Sequence, residues 1–335
     1  MTENPDGSIL GDADPEGSGP DAVGPEGSGP DFSGLRLPLI VAPMLRVSDV
    51  QLTSAALRAG VVGSFPTLNA RSDSALQEWL EELGRVQAES AGILCPNLVM
   101  ADADSHRHAR LIAESSARMV ITSVGSPAPV ASLFAEAGIS VFADVATVAH
   151  ARKAVAAGAT GLVLLTAGAG GQTGWLNPFA FISAVRGFFD GPVVLAGGMT
   201  GGRSIAAARV AGYDLAYSGT RFIASSESPA SPAYKQTIVD ADPDGVMLTK
   251  AFTGLQTNML TQSIRAAGIE PASLDEDATQ ESAAELFGNR ARGNGPRRWA
   301  DIHSAGHSVA GVRGMETVTQ IVEDFSREYE DARTR

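Results

Sequence analysis

The chain has 335 residues, 44% of them apolar and 19% charged, so it can bury a large core and is not disordered as a whole. A formal net charge of −13 argues against nucleic acid or an anionic membrane as the main partner. The lone cysteine, Cys95, excludes an internal disulfide and a multi-cysteine metal site and fits a reducing compartment.

No uninterrupted apolar run approaches the ~18 residues of a membrane span, and the N-terminus has no basic apolar leader. A soluble, cytoplasmic protein is expected. The charge is uneven: residues 1–31 hold eight acids and no Lys or Arg, and PEGSGPD starts at both Pro15 and Pro25. Gly, Pro, Ser and acid without apolar periodicity cannot offset the entropy of ordering. Residues 1–34 are therefore expected to be a disordered acidic tail, read as solubilising in preference to a docking motif.

From Leu35 short apolar runs alternate with Ala-rich amphipathic stretches. Strands are predicted at 39–44, 61–65, 92–99, 119–124, 140–145, 161–166, 192–197 and 215–219, with helices near 48–59, 73–89, 103–114, 127–137, 147–157, 178–188 and 201–211. Continuous apolar strands covered by helices on both faces imply a parallel sheet. Eight such units predict a closed (β/α)8 barrel over 35–226. The competing open, doubly wound sheet calls for a glycine fingerprint after the first strand, which instead ends Ala42-Pro43-Met44.

Chemistry on such a barrel sits at the carboxyl ends of the strands. The seventh strand closes with Ala196-Gly197-Gly198-Met199 and the eighth with Ser218-Gly219-Thr220-Arg221. Glycines let backbone N–H groups approach an anion, and a helix start near Gly201 adds a favourable dipole. A phosphate site is favoured here over bare turns. Arg221 adds charge to it or pairs with a neighbouring acid. After strand six comes Ala167-Gly168-Ala169-Gly170-Gly171-Gln172-Thr173-Gly174-Trp175. Such small residues do not pack a core, so the backbone itself must approach something flat or crowded. Gln172 projects an amide that can orient a substrate but cannot act as a general base. Trp175 and Asn177 wall the pocket, or Trp175 merely packs the loop.

Beyond Glu227 the rhythm changes. A helix is expected from Tyr234-Lys235, an extra strand at 246–249, and helices at 253–268 and 275–287, together an inserted, small α-helical lid over 227–298. Lys250 and Asn258 either reach substrate or are solvated. Arg290, Arg292, Arg297 and Arg298 form a basic loop that holds an anionic tail such as coenzyme A, or is simply a solvated charge run. Residues 299–335 return to the barrel. His106, His108 and His150 read as surface or capping residues, Cys95 as core packing. His303 and His307 lack a third ligand, so no metal site is proposed.

The set Ala42-Pro43-Met44, Asn97, Gly170-Gly171-x-x-Gly174, Ala196-Gly197-Gly198 and Gly219-Thr220-Arg221-Phe222 resembles the nitronate monooxygenase family (formerly 2-nitropropane dioxygenases), FMN-dependent TIM-barrel flavoproteins. The resemblance runs from about Leu37 to Phe222. It implies that Met44 lies by the flavin ring and that Asn97 hydrogen-bonds it. Gly170 and Gly171 would pass along the cofactor, while Gly197, Gly198, Ser218, Gly219 and Thr220 would hold its phosphate. One departure matters. Where the family's nitronate oxidisers carry a histidine, this chain has Gln172, and a Gln-Gly pair before that loop is replaced by Leu165-Thr166. A related branch carries Trp-Ser-Ala-Gly-Gln near the C-terminus, so His307 would stand where those relatives have glutamine. Gln172 and His307 are accordingly the catalytic candidates, with a surface role the competing reading for His307.

The implied activity is oxidation of alkyl nitronates with O2 to a carbonyl compound and nitrite, on small-molecule substrates. Preformed nitronates are expected to be preferred over neutral nitroalkanes, which need a base. The alternatives are an NAD(P)H-dependent flavin reductase of a quinone or activated double bond, and a flavin-free phosphate-substrate lyase or isomerase on the same barrel. The last lacks a convincing Lys or His at a strand end.

Overall fold

A computed structural model describes residues 30–288 and 295–334. The acidic tail up to residue 29, and Arg290, Arg292 and Gly293 of the basic loop, lie outside the described residues. Among them no helix is long and apolar enough to cross a membrane.

Eight parallel strands close into a barrel: β1 (Leu39–Val41), β2 (Val62–Pro66), β3 (Ile93–Val99), β4 (Met119–Ser123), β5 (Ser140–Val145), β6 (Gly161–Leu165), β8 (Val193–Ala196) and β9 (Leu215–Ser218). Ile40 of β1 stands opposite Tyr217 of β9, so the sheet has no open edge. The predicted (β/α)8 barrel is thus the observed one. Alternate residues divide between two cores. Ile93, Cys95, Ile121, Phe142, Val163, Val194 and Leu215 fill the barrel interior. Leu94, Val120, Val141, Leu162, Leu195 and Ala216 face the helices.

The first seven barrel strands are followed by α1 (Val50–Arg58), α2 (Asp73–Ala88), α3 (Ser105–Ala113), α4 (Ala128–Glu136), α5 (Val148–Ala156), α6 (Pro178–Arg186) and α7 (Gly202–Val210). Asp49, Ser72, Thr147 and Asn177 cap α1, α2, α5 and α6 by accepting backbone N–H bonds. Asn177, expected in the pocket wall, is instead committed to Phe179 N at 3.0 Å. His108, expected at the surface, is buried, with Nδ1 3.1 Å from Thr67 Oγ1.

After β9 comes only the one-turn α8 (Thr220–Ile223). The outer position is filled by the C-terminal α12 (Val318–Arg333), which packs on α7 and α1 through Val318, Ile321, Val322 and Phe325. The chain between them contains α9 (Pro232–Val239), β10 (Val246–Thr249), β11 (Thr257–Leu260), α10 (Thr261–Ala266) and α11 (Gln280–Phe287). The helix expected over 253–268 is therefore a strand followed by a short helix. Thr257 and Asn258 pair antiparallel with both β10 and β7 (Gly171–Gln172), and a backbone ladder on two sides overrides local helical periodicity. The inserted segment is not purely helical.

Packing also begins earlier than residue 35. Phe32 meets Phe142 edge-on at 6.3 Å and closes the amino-terminal end of the barrel.

Candidate active site

At the opposite end, where the strands finish, lies a cavity of about 580 Å3, within the range of cofactor sites. Each barrel strand, or the residue just after it, contributes to its floor. Ala42, Pro66, Leu165 and Ala196 are apolar, whereas Asn97, Ser123, Asp144 and Tyr217 are polar. These are the inward positions of the alternating pattern, which is why a floor of this composition follows from strand register.

Asn97 Nδ2 donates to Ile121 O and to Ser123 Oγ, both at 3.1 Å. With both amide hydrogens used, its Oδ1 offers only acceptance. Asp144 has an Oδ1 wholly enclosed and without a hydrogen-bond partner, and burial pushes its carboxyl up to about 7. Beside it, burial and then the Asp144 charge push the Tyr217 phenol and the Cys95 thiol upward, so both stay neutral. The sequence reading passed over Asp144. Its one trace in the sequence is an acid within the SVFADV strand, and only the register of that strand turns it to the cavity.

One wall is the pair of turns expected to bind phosphate. Gly197 and Gly198 have φ of 129° and 69°, and a side chain at Gly198 would meet nothing within 4 Å. Gly219 sits against Met44, whose sulfur would be 3.1 Å from an added Cβ. Thr220 Oγ1 accepts from Gly306 N at 3.1 Å, which leaves its own proton to donate. The α7 N-terminus does not contribute as expected, because its Gly202 amide donates to the Glu328 carboxylate of α12 at 2.9 Å. The turn residues Gly197, Gly198, Gly219 and Thr220 line the cavity, whereas Gly201 and Gly202 at the helix start do not.

The loop after β6 forms the opposite cover, and the structure divides its glycines by cause. Gly168 and Gly170 are crossed by the C-terminal segment: an added Cβ would lie 2.6 Å from His307 Nδ1 or 2.9 Å from Gly306 N. Gly171, with φ of 68° and open space around it, is small for its backbone conformation alone. Gln172 lines the cavity, held in register by Thr257, and Gly171 N donates to Ser304 Oγ at 2.8 Å. Tyr234 Oη donates to Ser304 O at 2.6 Å and the ring stacks on His303 at 4.2 Å. Burial holds the His303 imidazole below its ordinary pKa, so it is a neutral buttress behind the wall.

Met44, Asn97, Gly170, Gly171, Gln172, Gly197, Gly198, Gly219 and Thr220 are thus brought together around one cavity. Ser218 is not: it alternates with the inward Tyr217 and is buried toward the helices. His307 is exposed and rests on Gly168, outside the lining. Trp175 is 75% exposed and walls nothing. Arg221 is buried in an ion pair with Glu316. Asn258 is a bolt, its Nδ2 donating to Ala169 O at 2.6 Å, and Lys250 is exposed away from the cavity. His150, expected at the surface, reaches the rim, as do Val124 and Trp299, two non-glycine residues at φ of 52° and 66°.

Comparison with known proteins agrees with this geometry. The sequence model of the family described as nitronate monooxygenase matches residues 65–328. A nitronate monooxygenase of Paraburkholderia phytofirmans is 27% identical, with 90% of this chain and 95% of that protein covered. A Mycobacterium tuberculosis protein, (3aS,4S,5R,7aS)-5-hydroxy-7a-methyl-1-oxo-octahydro-1H-indene-4-carboxyl-CoA dehydrogenase, is 27% identical over 68% of this chain, which spans 64% of that relative's length. Among solved structures, FabK from Thermotoga maritima superposes with a TM-score of 0.76 at 25% identity, covering 91% of this chain and 96% of its own. A nitroalkane oxidase from Streptomyces ansochromogenes does so at 0.70 and 25% identity, covering 89% and 97%.

Proposed function

Because this chain belongs to the nitronate monooxygenase family, whose members are flavin-dependent oxidoreductases, we propose that it binds FMN in the cavity and oxidises alkyl nitronates with dioxygen. Two nitronate anions and one dioxygen balance, in atoms and charge, to two carbonyl compounds and two nitrite ions. The observation that carries the reading is the union of two features in one cavity: glycine turns at Gly197 and Gly198, both at positive φ, and a floor drawn from all eight strands, half apolar and half polar.

The residues present fit the cofactor. The amides of Gly197, Gly198 and Gly219 and the hydroxyl of Thr220 would hold a phosphate. The Oδ1 of Asn97, which can only accept, suits a ring N–H. Met44 supplies an apolar contact at the ring. When bound, the flavin supplies the electron acceptor and the reaction with dioxygen. The protein's part is to bind, orient and exclude water.

Gln172 lines the substrate side from the β7 ladder. Its amide donates to a nitronate oxygen and does not take a proton at neutral pH. A nitronate is already an anion and needs no deprotonation, so it is the substrate form this cavity suits. A purified protein with absorption bands near about 370 and 450 nm, and nitrite release from propionate 3-nitronate, is the expected result. A colourless protein that takes up no FMN would overturn the reading.

A second reading draws on the CoA dehydrogenase relative: the same cavity would hold a flavin that serves to pass electrons between a nicotinamide and an activated double bond or an acyl-CoA. Arg298 lines the cavity and Arg297 lies beside it, the remnant of the basic loop among the described residues. Anaerobic mixing with NADH or NADPH separates the two, because rapid bleaching of the flavin bands belongs only to the second.

A further inference from the structure

Asp144 is a carboxyl on the cavity floor with one oxygen wholly enclosed and no donor to satisfy it. Its neighbours offer no compensation. The Asp144 charge acts on Cys95 of β3 and Tyr217 of β9, which burial keeps neutral, so neither offers it an opposite charge. From the rim, His150 of α5 and Arg298 line the same cavity, but neither reaches the enclosed Asp144 oxygen, and Arg298 Nη1 donates to Phe252 O at 3.0 Å. An ionised carboxylate in this position is unsupported. A neutral one carries a single O–H donor, and the protein presents no acceptor to its enclosed oxygen.

We propose that Asp144 is a proton-holding residue of this site, meeting the bound cofactor as a neutral acid and donating its hydrogen bond to a ring nitrogen or carbonyl oxygen. The inference rests on the flavin reading above. It complements Asn97, since the floor then offers one acceptor from β3 and one donor from β5, two strands apart. A planar heterocycle whose edge alternates N–H and carbonyl groups satisfies both at once. No covalent bond changes. The linkage is that binding favours the protonated carboxyl, so above neutral pH each cofactor bound draws a proton from solution.

The test is FMN affinity of the full chain, freed of cofactor, by quenching of FMN fluorescence between pH 6 and 9. For the unsubstituted protein the dissociation constant is expected to rise by about tenfold per pH unit above neutrality. For Asp144→Asn, which keeps a neutral donor of the same shape, it stays flat over that range. The phosphate of FMN titrates identically in both and cancels in their ratio. Parallel profiles would overturn the proposal. Calorimetry of the unsubstituted protein at pH 8, in two buffers of different ionisation heat, gives a second measure: uptake of close to one proton per FMN is expected, and no uptake would overturn it even if the variant does not fold. Absence of FMN binding at every pH overturns the flavin reading instead, a result distinct from binding without proton uptake.

Discussion

Gly202, the first residue of α7, donates its amide to the carboxylate of Glu328, 126 residues later in α12, at 2.9 Å. The contact joins the last outer helix to the seventh and gives an anion to a helix N-terminus that would otherwise end in unsatisfied N–H groups. An added Cβ at Gly202 would overlap the α12 backbone at Phe325 and Tyr329, so the glycine is what lets the two helices close. Glu328→Ala is expected to cost about 1 kcal/mol in urea unfolding. Glu328→Gln, which keeps an acceptor and loses the charge, should cost roughly half of that.

The crossing of the 304–307 segment over the β6 loop makes a sharper prediction. An alanine at Gly306 would bring its Cβ to 2.6 Å from Gly170 N and still closer to Gly168 O. Both are backbone, so neither yields easily. Gly306→Ala should destabilise by about 1–3 kcal/mol and weaken flavin retention, because the Thr220 hydroxyl is bonded to the displaced amide. Gly171→Ala meets no atom within 4 Å and is penalised only by its φ of 68°, on the order of 1 kcal/mol. Thermal melts of the two variants separate crowding from backbone strain.

Arg221 is 4% exposed and paired with Glu316, while its Nε and Nη1 have no partner. Removing the acid leaves a buried, uncompensated guanidinium. Glu316→Ala is expected to lose about 3–5 kcal/mol, whereas the double change Arg221→Met with Glu316→Leu should recover most of it. Denaturant titration of the three proteins decides the matter. If the single and double variants were equally unstable, charge burial would not be the cause.

The Asp144 carboxyl also couples folding to pH. Burial raises its folded value to about 7 from an unfolded value of 3.8, so its favourable share is fully present below the unfolded pKa and is lost as pH rises toward 7. Above that, the cofactor-free protein carries a penalty with an upper bound of about 4 kcal/mol. Asp144→Asn should therefore melt higher than the parent at pH 8 and lose that advantage near pH 4. A constant difference between the two melting temperatures would show that the carboxyl does not titrate there.

Gln172 offers the test of substrate form. Gln172→His places a titratable nitrogen on the β7 ladder facing the cavity. Nitrite release from a neutral nitroalkane, relative to its nitronate, should rise by about tenfold or more, in line with the worth of a positioned base. An unchanged ratio would remove Gln172 as the reason for preferring the anion.

The barrel was legible because its information is local. Eight apolar runs of strand length, the first seven each followed by a helical stretch, admit few arrangements, and Gly197, Gly198 and Gly171 announced positions where the backbone takes a positive φ. Asp144, His307 and the 253–268 segment were not legible in the same way. Whether an acid in a strand faces a cavity depends on register. Whether a histidine reaches that cavity depends on where a distant segment crosses. Thr257–Leu260 becomes a strand only because β7 and β10 lie on either side of it.

Periodicity and composition were thus enough to establish a closed cylinder and to single out strand ends and glycine turns that line one cavity, since each is a property of neighbouring residues. Tertiary packing alone decided that α12 completes the outer ring, that Glu328 occupies the α7 terminus, and that an unpaired carboxyl lies on the cavity floor. Those outcomes arise from residues far apart in the chain, whose mutual burial no local pattern encodes.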